Sequence, residues 1–279
     1  SYALGAAYSF CLLAGKVISD TGILPMRTWK FWGAWAVFGI LAARGLEWGY
    51  RCITDACPGT VGSGSRRLKI KRRWIWAGIF LAWLPVWLAL YPGAFAYDAE
   101  FAYEQIRTGA LTSHHPVLHT LILGNTVRLG NLSGGGYNLG IAGYCLLQMA
   151  FVSFVFSYVT EWIGKLTEKP WMMCLAFIWY ACFPVVSVTA GCTTKDVLFT
   201  TFALLEAILI YRMMKNREIA KTEYILWAVV SWFAVVLRST GIYIFVVFSL
   251  ILYLNLDKYK KRPFVISCFF DVLLWFFYD

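Results

Sequence analysis

Residues 74–90 read WIWAGIFLAWLPVWLAL, and residues 91–119 follow directly as YPGAFAYDAEFAYEQIRTGALTSHHPVLH. The first stretch carries no charge and approaches the ~20 apolar residues that cross a hydrocarbon core. The second holds all 3 histidines, His114, His115 and His119, and Asp98, Glu100 and Glu104 out of 15 acidic residues. Polar groups beside a bilayer are costly unless they serve something. The pair Pro92-Gly93 is a strong turn signal and ends the apolar run. Asp98 to Arg107 then reads as a short amphipathic helix, with Glu100 and Glu104 four apart on one face. Such a helix lies along an interface.

The rest of the chain agrees with this reading. Of 279 residues, 60% are hydrophobic, 18% aromatic and only 14% charged, and mean hydropathy is +0.63. A soluble domain is about half apolar and a quarter charged. The runs do not alternate as barrel strands do. The expected fold is therefore an all-α polytopic membrane protein, with residues 1–279 as a single transmembrane domain and residues 91–119 as its first external loop. Further runs at 2–19, 29–46, 137–162, 171–188, 197–214, 224–237, 242–256 and 263–278 read as crossings. The apolar run ending at Asp279 predicts a chain that is the N-terminal part of something longer. The first residues show neither a basic n-region nor a cleavage site, so no cleavable signal is expected.

The net charge of +10 does not point to nucleic acid. Lys and Arg sit in clusters between apolar runs, a pattern that sets orientation and touches anionic membrane lipid. The largest cluster is Arg66, Arg67, Lys69, Lys71, Arg72 and Arg73, which predicts a cytoplasmic loop. Residues 212–221 and 257–262 are basic in the same way. That places residues 91–119, Lys195-Asp196 and Arg238 together on the outer face. One parity conflict remains. If residues 165–169 are also inside, residues 116–132 are re-entrant or peripheral rather than a full crossing. The 8 cysteines are scattered, and Cys52 and Cys57 lack the second pair of a zinc site.

Each polar site has a bland reading. Asp98 and Asp196 could cap helices, the histidines could anchor an interface, and Arg238 could snorkel from a helix end. Together they fit one pocket with a carboxylate to take a proton and cations to hold a phosphate. His115 and His119 stand at i,i+4, a spacing metal ligands can take, and Asp98 could join them around a divalent ion. Only two of the three histidines share that spacing, so a metal ranks below a phosphate or acceptor contact.

Tyr91-Pro92-Gly93, Tyr97-Asp98, a short helix and then His114-His115-Pro116-Val117-Leu118 resemble the first external loop of GT-C superfamily glycosyltransferases. Thr194-Lys195-Asp196 resembles that superfamily's second acidic position. Residues 237–243 resemble an Arg-Asn-Asn-Gly-type segment, with Ser239 and Thr240 in place of both Asn; Val117 replaces a second Pro. The resemblance covers roughly residues 74–256. It implies a GT-C-like helical bundle in the cell membrane, its active site on the extracytoplasmic face. The implied reaction moves a sugar from a polyprenyl-phosphate donor to a cell-envelope glycan or lipid. Asp98 would be the general base or a metal ligand. Lys195, Arg238, His114, His115 and Tyr97 would contact donor phosphate or substrate, and Asp196 would be the second acid. The competing readings are a transporter or flippase of a lipid-linked precursor, and a non-catalytic subunit of a membrane complex. A transporter should show midplane polar groups and repeated halves, and the sequence shows no internal repeat.

Overall fold

The computed structural model describes residues 28–56, 70–112, 116–215, 219–238 and 240–255, with single positions between Tyr2 and Val17 and between Phe264 and Cys268. Among the described residues the structure is helical, and the one strand-like pairing is an isolated parallel bridge between Ala94 and Cys192. The helices are α1 (Trp29–Ala56), α2 (Arg72–Ala89), α3 (Tyr97–Thr108), α4 (Val117–Leu132), α5 (Gly136–Thr167), α6 (Pro170–Cys182), α7 (Pro184–Ala190), α8 (Lys195–Lys215), α9 (Lys221–Leu237) and α10 (Gly241–Asn255). They fall into two compact units, one of residues 1–68 and 162–173, the other of residues 69–161 and 174–279.

In the first unit, α1 runs past the apolar stretch that was expected to end near Leu46. Its polar continuation stays helical because Arg51 bonds Glu47 one turn away at 2.9 Å, with Arg44 at 3.7 Å from the same carboxylate. Such pairs stabilise a helix surface. The Trp35 indole donates to the Ala6 carbonyl at 2.8 Å, and the rings of Phe10 and Phe31 meet edge to face.

In the second unit, α2 starts with Arg72 and Arg73, a charge that opposes the helix dipole. Arg72 is offset by Glu161 at 4.0 Å and by the faces of Phe154 and Tyr158. The α2 indoles are satisfied by backbone carbonyls: Trp76 donates to Ala150 at 3.0 Å and Trp83 to Tyr180 at 2.9 Å. The expected single run over 171–188 is two helices bent by 55°. The break is at Phe183, which is extended (φ −74°, ψ 116°) ahead of Pro184, because proline pushes the preceding residue out of the helical region.

Helices α8, α9 and α10 share a core of Leu209, Met213, Trp227, Phe245, Leu252 and Phe264. The outer faces of α9 and α10 are also apolar: Leu226, Val229, Val247 and Leu254 are exposed, as is Leu147 on α5. A helix apolar on both faces belongs in a large core or a membrane. Among the described residues two helices are long and apolar enough to cross a bilayer, α5 with 32 residues and α8 with 21, and the bent pair α6–α7 is a third if it forms one span. Helix α4 has 16 residues, about 24 Å of helix against a core of about 30 Å. It packs chiefly on α3.

Candidate functional site

Two helices of the second unit start from one junction. After Pro92 the chain turns at Gly93, whose φ of +128° is open to glycine and strained for other residues. A Cβ there would also run into the Cys145 sulfur. The chain then bridges to the segment before α8. Ala94 N donates to Gly191 O at 3.1 Å, and Thr193 N donates to Ala94 O at 3.0 Å. The buried Thr193 hydroxyl accepts from Ala96 N at 2.9 Å and donates to Ala94 O at 3.2 Å. A hydroxyl can do both, which an apolar side chain of that size cannot. Helix α3 begins one residue after Ala96, and α8 begins two after Thr193.

This junction sets the charges. Lys195 Nζ lies 3.0 Å from Asp98 Oδ2. Arg238 follows the last residue of α9 in an extended conformation, and its Nη1 lies 2.5 Å from Asp196 Oδ1. Its guanidinium also sits over the Phe199 ring, 5.6 Å from the centroid. Gly241 lets the start of α10 approach α9 closely; a Cβ there would meet Ala234 O at 2.5 Å. Both carboxylates stand in the first turn of a helix, where negative charge is favoured. The pairs are partly solvated, with Asp98 43% and Asp196 46% exposed, so each contributes about 0–1 kcal/mol to stability.

A buried brace holds the α8 side of the junction. Gln148 Nε2 donates to Ala190 O at 2.9 Å and to Cys192 O at 2.7 Å, and its Oε1 accepts from the Tyr144 hydroxyl at 2.9 Å. The amide orientation is forced, because carbonyl oxygens only accept. The Tyr144 oxygen lies 3.0 Å from His119 Nε2. Its one proton goes to Gln148, so His119 donates to it through Nε2.

An apolar groove of about 350 Å³ runs beside the site, walled by Val152 and Phe156 of α5, Val185 of α7, and Val197 of α8. Asp196, Thr194 and Cys192 are its polar margin. Burial pushes the Cys192 thiol up from its ordinary value. On the exposed side of α3, a hydrogen bond from Arg107 holds the Glu104 carboxyl below the usual range, so that acid is committed within its own helix.

The structure thus brings together Asp98, Lys195, Asp196 and Arg238. It places His119 buried on α4 against Tyr144, in the brace behind the junction. His114, His115, Ser239 and the Tyr97 side chain lie outside the described residues. Among the described residues no three His, Cys, Asp or Glu side chains come together to hold a metal ion. Thr193, Tyr144 and Gln148 were not singled out from the sequence. Their signal was there: Gln148 is an amide deep inside an apolar run, and polar groups at such depth are rarely idle.

These features define a helical, membrane-associated protein with a charged site beside an apolar groove. Residues 99–275 match a family described as a family of unknown function, DUF6020, and the chain belongs to that family. Lys195, Asp196 and Arg238 lie within the matched region and Asp98 just before it. No curated protein and no solved structure matches the chain.

Proposed function

We propose that the protein is a multi-pass membrane glycosyltransferase with a GT-C-like arrangement of helices. It would move a sugar from a polyprenyl-phosphate donor to an acceptor hydroxyl on the extracytoplasmic face. The observation that carries this reading is the meeting of Asp98 with Lys195, and of Asp196 with Arg238, beside an apolar groove. A hydroxyl is a poor nucleophile until a carboxylate takes its proton, and Asp98 is reachable from solvent. The leaving group is a lipid phosphate. Lys195 and Arg238 are the cations to meet its charge, and the planar fork of Arg238 suits two phosphate oxygens. Charge fixed in advance usually contributes more than the base. The groove offers apolar walls for the first part of a lipid chain.

The test is turnover of a radiolabelled polyprenyl-phosphate sugar by purified protein. Asp98→Asn should lower turnover by roughly 10²–10⁴ while leaving the melting temperature unchanged. Wild-type turnover in this variant would remove Asp98 from the chemistry and the reading with it.

One observation favours the transporter reading. Glu206, near the middle of α8, is fully buried, and the Ser231 hydroxyl donates to it at 2.9 Å. Ionisable groups at mid-membrane mark transport pathways. Movement of a lipid-linked precursor across proteoliposomes, lost in Glu206→Gln with sugar transfer absent throughout, would decide for transport.

A further inference from the structure

We propose that Asp98 and Asp196 are built-in competitors for a phosphate-class anion: they occupy Lys195 and Arg238 until the anion arrives and exchanges with them. The idea deepens the transferase reading, on which the role of Asp98 as base rests. The exchange itself rests on the ion pairs alone.

The four side chains form a balanced set, two cations each bonded to a carboxylate, at 3.0 Å for Lys195–Asp98 and 2.5 Å for Arg238–Asp196. Their partial exposure makes the pairs weak enough to exchange. The phosphodiester of a lipid-linked sugar matches a carboxylate in charge and in free oxygens, and the monoester left after transfer, like inorganic phosphate, offers more of both. Asp196 stands on the margin of the groove, so an anion at that end reaches Arg238 by replacing it. Nothing in the exchange is covalent; the carboxylates give up ionic hydrogen bonds and gain water or an acceptor hydroxyl.

The exchange ties base strength to occupancy. A carboxylate bonded to an ammonium is a weaker proton acceptor than a free one, since the cation favours its charged form. When phosphate takes Lys195, Asp98 becomes the stronger base. Base activation and anion binding are then linked, and linkage is reciprocal.

Calorimetric titration of inorganic phosphate into the full chain in uncharged detergent tests this without any turnover. Asp98→Asn should tighten phosphate binding about three- to fivefold, the release of one partly exposed pair. In a Lys195→Met background the same substitution should change affinity much less, because the contested cation is gone. Equal tightening in both backgrounds would mean a general loss of negative charge and would overturn the exchange. So would no tightening, or no phosphate binding to any variant. Asp98→Ser replaces Asn if that variant unfolds. A second arm with decyl phosphate separates the sources: tighter binding than inorganic phosphate assigns a lipid-linked phosphate, and equal binding assigns a free one. Loss of turnover in Asp98→Asn without tightened phosphate binding sinks the exchange and leaves the transferase reading. Tightening with unchanged turnover does the reverse.

Discussion

Replacing Gln148 by leucine should loosen the junction that positions Lys195 and Asp196. Leucine keeps most of the volume and removes three hydrogen bonds, to Ala190 O, Cys192 O and Tyr144. A net hydrogen bond contributes about 1 kcal/mol in water-soluble proteins and about 0.6 kcal/mol on average inside a membrane. Three give roughly 2–3 kcal/mol, and stranded carbonyls add to that. At about 2–4 °C per kcal/mol for a domain of 150–250 residues, the melting midpoint in detergent should fall by roughly 4–12 °C. Leu147→Ala is the control: its side chain is 66% exposed, and surface changes usually stay within about 0.5 kcal/mol. The ¹⁵N resonances of His119 give a second readout. Wild type should show the Nε2–H tautomer. In Gln148→Leu the Tyr144 hydroxyl loses its acceptor and turns to His119, which should shift to Nδ1–H. A midpoint no lower than that of Leu147→Ala, with an unmoved tautomer, would refute the brace.

Gly93→Ala should cost roughly 2–6 kcal/mol, from backbone strain of about 1–3 and overpacking of about 1–3 against Cys145. Adding Cys145→Ala should recover only the packing part, and full recovery of the melting midpoint would show that φ carries no strain. Arg238→Ala should raise the donor KM more than it lowers kcat, and Arg238→Lys should recover less than half of the loss because a point charge cannot fork; an unchanged KM counts against phosphate contact. With Cys192 as the sole cysteine, its maleimide reaction should still be rising with pH above the ordinary thiol pKa of about 8.5, since burial favours the neutral thiol. A half-rise at the free-thiol value would contradict that burial.

Hydropathy located the helices because each long apolar run had to satisfy its own backbone. It failed where a second force acted. The polar end of α1 looked like a loop, yet Glu47 and Arg51 sit one turn apart and carry the helix on. Residues 171–188 looked continuous, yet Pro184 bends them. At the site, the order of polar motifs and the charge bias of the loops singled out Asp98, Lys195, Asp196 and Arg238. Who bonds whom was not legible, since the pairs span 97 and 42 residues and no local periodicity encodes such contacts. The brace was harder still: one amide in an apolar run shows its purpose only when Tyr144 and the 190–192 carbonyls surround it.

The junction of Ala94 with Cys192 also bears on biogenesis. Asp98 emerges from the ribosome 97 residues before Lys195, an interval of roughly 5–20 s at about 5–20 residues per second. During that time the first half of the site is in place without its cation, and the Ala94 and Ala96 amides lack the acceptors that residues 191–193 will supply. Water or the insertion machinery must solvate those groups until α8 is made. A ribosome-bound chain stalled before residue 195 should therefore hold Asp98 in an aqueous setting, and the charged site is assembled only when the later helices arrive.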